Sequence, residues 1–205
     1  MPVTEVQAKK SLGQNWLKND SVVQEIVKAS EIKKDDRVLE VGPGRGILTA
    51  ALLKAGARVL AIEKDDRLID GLKQKFNLEI LHDRLEIIHH DILDFDPILI
   101  NESYKVVANL PYYITGEFIK KFLTTKHRPQ QMTLMLQKEV AERIVAKDKK
   151  ESVLSMSIKI YGTPKYIKTV SRGNFEPAPK VDSAVLVIKN ISSDNLIKNK
   201  IFIWG

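Results

Sequence analysis

Three features of the sequence could do chemistry. The first is Glu40-Val41-Gly42-Pro43-Gly44-Arg45-Gly46, a glycine-rich turn. Glycine lets a backbone approach a ligand closely and adopt positive φ. A helix opening after such a turn offers free N–H groups. The second is Glu63, 21 residues after Gly42. At the end of a strand, its carboxylate can accept both hydroxyls of a ribose. The third is Asp91, closing His89-His90-Asp91, where an acid could accept from an adenine amino group. The paired histidines do not read as a metal site. Neighbours on a strand point to opposite faces, and no His/Glu/Asp cluster has ligand spacing, so no metal is expected. His82 and His127 stand alone and read as surface residues. The chain has no cysteine, which excludes disulfides, thiolate metal sites and Cys nucleophiles.

A fourth feature is sharper: Asn109-Leu110-Pro111-Tyr112. It resembles the active-site tetrapeptide of amino methyltransferases acting on adenine. An adenine amino nitrogen is a poor nucleophile because its lone pair is delocalised into the ring. The Asn109 side-chain oxygen and the Leu110 carbonyl can both accept its hydrogens, which localises that pair. Tyr112 can stack on the base, its π-face can favour a sulfonium methyl, and Pro111 fixes the turn. The glycine turn is compatible with this chemistry. The dinucleotide pattern is G-x-G-x-x-G, but here the third glycine comes one residue early. E-x-G-x-G-x-G resembles the first motif of S-adenosylmethionine-dependent methyltransferases.

These residues need elements to position them. Arg37–Val41, Arg58–Glu63, Leu85–His90, Lys105–Ala108, Met132–Leu136 and Ala184–Lys189 read as strands. Helices are predicted over Ile47–Lys54, from a cap at Asp65 to about Phe76, over Thr115–Leu123 and over Lys138–Val145. The alternation implies an α/β fold, a mostly parallel sheet with helices on both faces. The strands are unbroken apolar runs, as a sheet covered on both faces requires. Phe175-Glu176-Pro177-Ala178-Pro179 is a rigid extended segment.

Four separated stretches then carry a family resemblance. Ser11-Leu12-Gly13-Gln14-Asn15-Trp16-Leu17 resembles G-Q-N-F-L, with Trp for Phe. Asn109–Thr115, Met135–Ile144 and Phe175–Val185 follow in order. Together they resemble the ribosomal RNA adenine N6,N6-dimethyltransferases, the small-subunit type whose loss confers kasugamycin resistance. The resemblance implies a Rossmann-like S-adenosylmethionine-dependent methyltransferase fold. It also implies that Asn15, Leu17, Gly42, Gly44, Glu63, Asp91 and Asn109 contact S-adenosyl-L-methionine. Phe175 matches an aromatic that sandwiches the target adenine with Tyr112; its other reading is a hydrophobe that anchors its loop. The expected partner is ribosomal RNA in the small subunit or its precursor, met by a cytoplasmic monomer.

Charge agrees with a polyanionic partner: 33 Lys+Arg against 26 Asp+Glu give +7. Residues 147–180 hold eight basic and three acidic side chains, so Lys165, Lys168 and Arg172 are expected to touch RNA, with Lys9 and Lys10 the other candidates. No signal peptide and no apolar run of membrane-spanning length is present. Residues 1–190 read as a catalytic domain and 191–205 as the start of a truncated C-terminal one, because Ile201–Trp204 has no local core to join. Three other readings remain: the sister family acting on large-subunit RNA, a non-catalytic RNA-binding factor on this fold, and a nicotinamide oxidoreductase.

Overall fold

The computed structural model describes residues 6–147 and 151–192. The expectation for Ile201–Trp204 lies outside them. In chain order the elements are β1 (Trp16–Leu17), α1 (Asp20–Ser30), β2 (Arg37–Val41), α2 (Ile47–Lys54), β3 (Arg58–Glu63), α3 (Asp66–Lys75), α4 (Asn77–Leu81), β4 (Leu85–His89), β5 (Tyr104–Asn109), α5 (Thr115–Thr124), β6 (Gln131–Gln137), α6 (Lys138–Val145), α7 (Val153–Tyr161), β7 (Thr163–Val170), β8 (Phe175–Glu176) and β9 (Ser183–Lys189).

Seven strands form one sheet in the order β4-β3-β2-β5-β6-β9-β7. From β4 to β6 every pair is parallel, and β9 and β7 are antiparallel additions. Alternate residues of the parallel strands feed two cores. Leu39, Leu60, Val106 and Ala108 pack on one face with Phe118 and Phe122 of α5. Val38, Val59, Ala61 and Val107 pack on the other with α1, α2 and α3, through Ile26, Leu52 and Leu72. Both faces are buried, so the strands carry little polar alternation.

The strand order reverses between β2 and β5, which is where an open α/β sheet places its ligand crevice, outside the carboxyl ends of the strands. The ends of β2, β3, β4 and β5 carry Gly42, Glu63, Asp91 and Asn109. The small sheet β1–β8, with Leu17 opposite Phe175, ties the N-terminal segment to the proline-rich strap. No helix among the described residues is long and apolar enough to cross a membrane.

α1, α7 and β7 are elements beyond those read from the sequence. α1 is capped by Asn19, whose side chain accepts from Ser21 N–H, and it buries Val22, Val23 and Ile26. α7 is capped by Ser152. β7 is an edge strand in which exposed residues are interleaved with part-buried ones and Val170 is buried, with Pro164 where only an edge tolerates it.

Candidate functional site

The glycine turn runs out of β2 into α2 with Gly42, Gly44 and Gly46 at φ +64°, +57° and +77°. At two of these positions glycine answers different needs. A Cβ on Gly42 would meet nothing within 4 Å, so that position opens onto free space on the cleft wall. A Cβ on Gly44 would lie 2.9 Å from Trp16 Cδ1; here glycine admits the indole that closes over the turn. Arg45 lies over that ring at 4.2 Å and reaches Glu176 at 3.8 Å. The turn, β1 and β8 are thereby locked together.

Glu63 is 5% exposed. One oxygen accepts from Gly44 N–H at 3.1 Å and the other from Asp65 N–H at 2.8 Å. Burial pushes this carboxyl above its ordinary pKa, and these backbone donors only partly oppose it. Each oxygen keeps a lone pair, so the group can still accept from a pair of vicinal hydroxyls. With the bare wall at Gly42, the residues present fit a nucleoside ligand of the kind the resemblance implies.

Asp91 accepts from Leu93 N–H and from the Lys64 ammonium. Burial would raise its pKa, but these two partners outweigh it and hold the carboxyl low. His90 lines the cleft and stands edge-on to Phe95, while His89 Nε2 lies 3.3 Å from the Lys64 carbonyl. His127 is not a plain surface residue: it is half-buried and tilts against Tyr104, whose hydroxyl donates to the His127 carbonyl.

The N-terminal segment crosses above the strand ends. Gln14 Nε2 donates to Asp65 at 2.7 Å, and Asn109 Nδ2 donates to the Asn15 carbonyl at 3.1 Å. The second contact fixes chemistry. A backbone carbonyl can only accept, so it must face the amide nitrogen of Asn109. The Asn109 oxygen is then left as the acceptor the tetrapeptide chemistry asks for. Pro111 leads into the turn of Tyr112–Ile114 ahead of α5. The Tyr112 hydroxyl lies 2.8 Å from the Ser183 hydroxyl at the start of β9.

The cleft is lined by Asn15, Gly42, Gly44, Glu63, Asp91, Asn109, Leu110, Pro111, Tyr112 and Phe175, all expected from the sequence. Two expectations need correction. Leu17 does not line the cleft; it is buried in the core with Val22 and Val23, because β1 turns it toward α1. Phe175 lines the wall but is 3% exposed and belongs to the same core. An adenine sandwich needs a bare ring face, so the burial favours the anchoring reading. Lys165 and Lys168 are not at the cleft. They lie on the edge strand, where Lys168 is 3.7 Å from Glu25 of α1. Lys189 holds the Glu31 carboxyl low at the end of α1, with Lys165 adding to it.

Glu40, read from the sequence only as the first residue of the glycine-turn motif, is a strongly perturbed acid. It is 1% exposed, and neither its Oε2 nor Thr49 Oγ1 completes a hydrogen bond. Burial pushes its pKa to about 8, the nearby Glu63 carboxylate adds, and Thr49 and Lys75 offset part of this. The signal was an acid inside the apolar run of β2.

A family model described as ribosomal RNA adenine dimethylase matches residues 5–202. The ribosomal RNA small subunit methyltransferase A of Dehalococcoides mccartyi is 45% identical over 186 residues, covering 89% of this chain. The chain spans 63% of that relative's length. Among solved structures, a dimethyladenosine transferase from Plasmodium falciparum superposes with a TM-score of 0.77 at 31% identity, over 90% of this chain and 66% of that one. A 23S rRNA methyltransferase, ErmE, superposes at 0.78 with 29% identity, over 87% and 70%. The α/β sheet is thus the Rossmann-like methyltransferase fold. With a family model matched from one end of the described fold to the other, and the strand-end acids and tetrapeptide gathered in one cleft, this chain belongs to the ribosomal RNA adenine dimethylase family.

Proposed function

We propose that residues 1–190 form the catalytic domain of an S-adenosylmethionine-dependent enzyme that dimethylates N6 of adenosines in small-subunit ribosomal RNA, or in the RNA of its precursor. Residues 191–205 would begin a further part. In this reading the enzyme works as a cytoplasmic monomer without a membrane. The observation that carries it is the Asn109–Asn15 contact, which presents an amide oxygen at the end of β5.

S-adenosylmethionine, when bound, supplies an electrophilic sulfonium methyl. Everything else falls to the chain. Gly42 admits the donor, Gly44 donates its N–H to Glu63 and lines the same cleft, Glu63 accepts from the donor's ribose hydroxyls and Asp91 from its adenine amino group. The Asn109 oxygen and the Leu110 carbonyl accept the hydrogens of the target amine and localise its lone pair. Positive charge grows on that nitrogen during transfer, so both acceptors bind more strongly as the reaction proceeds. No strong base is needed, because the proton can leave after the methyl arrives. Tyr112 holds the base by stacking. Burial keeps its phenol above the ordinary pKa, so the ring is uncharged at neutral pH. A monomethylated amine keeps one hydrogen and a usable lone pair, so a second turnover gives the dimethyl product.

Calorimetry tests the donor site. S-adenosylmethionine should bind in the micromolar range, about −8 kcal/mol, and NAD should not bind. Glu63→Ala should weaken the donor roughly 10–100-fold. NAD binding, or unchanged affinity in Glu63→Ala, contradicts the assignment. Methylation of each purified ribosomal subunit separates small-subunit from large-subunit action.

Ser183 positions Tyr112. Removing the hydroxyl should cost about 1 kcal/mol, roughly fivefold in kcat/KM, and Ser183→Thr should restore most of it. In a Tyr112→Phe background Ser183→Ala should cost nothing further; an equal loss there would mean Ser183 acts elsewhere.

Of the basic residues expected to touch RNA, we favour the exposed Lys9 and Lys10, which shortly precede the cleft-lining Leu12, over Lys165, Lys168 and Arg172. Neutralising Lys9 and Lys10 should reduce the slope of log affinity against log salt by about 0.7–0.9 for each phosphate that they neutralise. Neutralising Lys165 and Lys168 should leave it unchanged. The reverse pattern would return the RNA to the edge strand.

A further inference from the structure

Two adjacent tyrosines leave the tetrapeptide in different surroundings. Tyr112 is half-buried and anchored to Ser183. Tyr113 also lines the cleft but is 60% exposed. The other exposed large hydrophobics among the described residues are aliphatic and none lines the cleft: Leu78 and Leu81 on α4, Ile98 and Leu99 beyond β4, Val153 and Met156 on α7, and Val181 before β9. Among the described residues Tyr113 is therefore the single exposed phenyl, phenol or indole ring, and it stands at the mouth of the site.

Its ring is also held in place. Gly13 sits at φ +62°, and a Cβ there would lie 3.2 Å from Tyr113 Cδ1 and Cε1 and 3.5 Å from Pro111 Cβ. The N-terminal segment thus packs its bare glycine backbone against one side of the ring, and the rest faces solvent. An exposed ring fixed beforehand costs little ordering on binding. Beside it stands Lys64, half-exposed on the cleft wall and within electrostatic reach of the Tyr113 hydroxyl. An aromatic face with a cation beside it suits a base and its phosphate.

We propose that Tyr113 is a stacking platform for the base next to the target adenine in single-stranded RNA. This rests on the proposed methylation of an RNA adenine in the same cleft. An adenine withdrawn into the cleft leaves its neighbour with one bare face, and a fixed aromatic ring can replace the lost stacking partner without reading sequence. Tyr112 would then hold the reacting base and Tyr113 the one that follows or precedes it.

The test uses the full chain and two short single-stranded oligoribonucleotides with one adenosine each. One carries 2-aminopurine on the 5′ side of the adenosine, the other on the 3′ side. Stacking on Tyr113 should quench the fluorescence of one of them with the wild-type chain and with Tyr113→Phe. Tyr113→Ala should abolish that quenching and weaken RNA binding roughly 5–150-fold, with the S-adenosylmethionine Kd held within about twofold as proof of folding. No quenching by the wild-type chain at RNA concentrations that saturate binding, or quenching and affinity retained in Tyr113→Ala, overturns the platform. Methyl transfer is read in the same samples. Quenching lost in Tyr113→Ala, but no methyl transfer by the wild-type chain, supports the platform and contradicts the methylation reading instead.

Discussion

Asn109→Ala is expected to lower kcat by roughly 10²–10³-fold, the usual cost of losing one preorganised polar group at a developing charge. RNA and donor binding should change far less. The reason is local. The amide nitrogen is spoken for by the Asn15 carbonyl at 3.1 Å, so the oxygen is already aimed before any substrate arrives. Its value lies in the transition state, where the amine gains positive charge, and much less in the ground state. Single-turnover kinetics on wild type and variant separate the two contributions. A wild-type kcat in Asn109→Ala, or a loss confined to KM, would mean that the amide only places the base.

The second large effect concerns stability. Glu40 keeps its proton to about pH 8 in the folded chain and loses it near pH 4.3 when unfolded. Between those values the folded chain carries the extra proton. Stability therefore falls as pH rises from about 4.3 to 8, then levels off. Glu40→Gln imitates the protonated form and removes this decline. At pH 8–9 the variant should be more stable than wild type by an amount on the order of a few kcal/mol, with Tm raised by roughly 2–4 °C for each. Near pH 5 the two should melt together. Parallel melting curves from pH 5 to 9 would contradict the buried, neutral state of Glu40.

How far the sequence led depended on the kind of contact. β2, β3, α2 and α6 begin and end where pattern alone puts them, because mainly apolar runs in β2, β3 and α2, and the helical spacing of Val140, Ala141 and Ile144 among charges in α6, have few other solutions. β7 has strand formers in Thr163, Tyr166, Ile167, Thr169 and Val170, but its lysines and Pro164 interrupt the apolar pattern, and pairing with β9 holds it in the sheet. α1 did carry a signal, an Asn19 cap ahead of Val22, Val23 and Ile26. The glycine turn, Glu63, Asp91 and Asn109 were legible because each ends a strand of one parallel sheet. What orients them was not. The Asn109–Asn15 and Gln14–Asp65 hydrogen bonds join residues far apart in the chain, and no local pattern encodes such pairs. Leu17 failed for the same reason: which way a residue faces on a two-residue strand is decided by its neighbours in space.

The central claim is methyl transfer to adenine N6. The direct measurement is nucleoside mass spectrometry of ribosomal RNA from small subunits incubated with this chain and isotopically labelled S-adenosylmethionine. The account predicts labelled N6,N6-dimethyladenosine from wild type and its near absence with Asn109→Ala. Unlabelled adenosine throughout, or label that stops at the monomethyl stage with donor in excess, would contradict it.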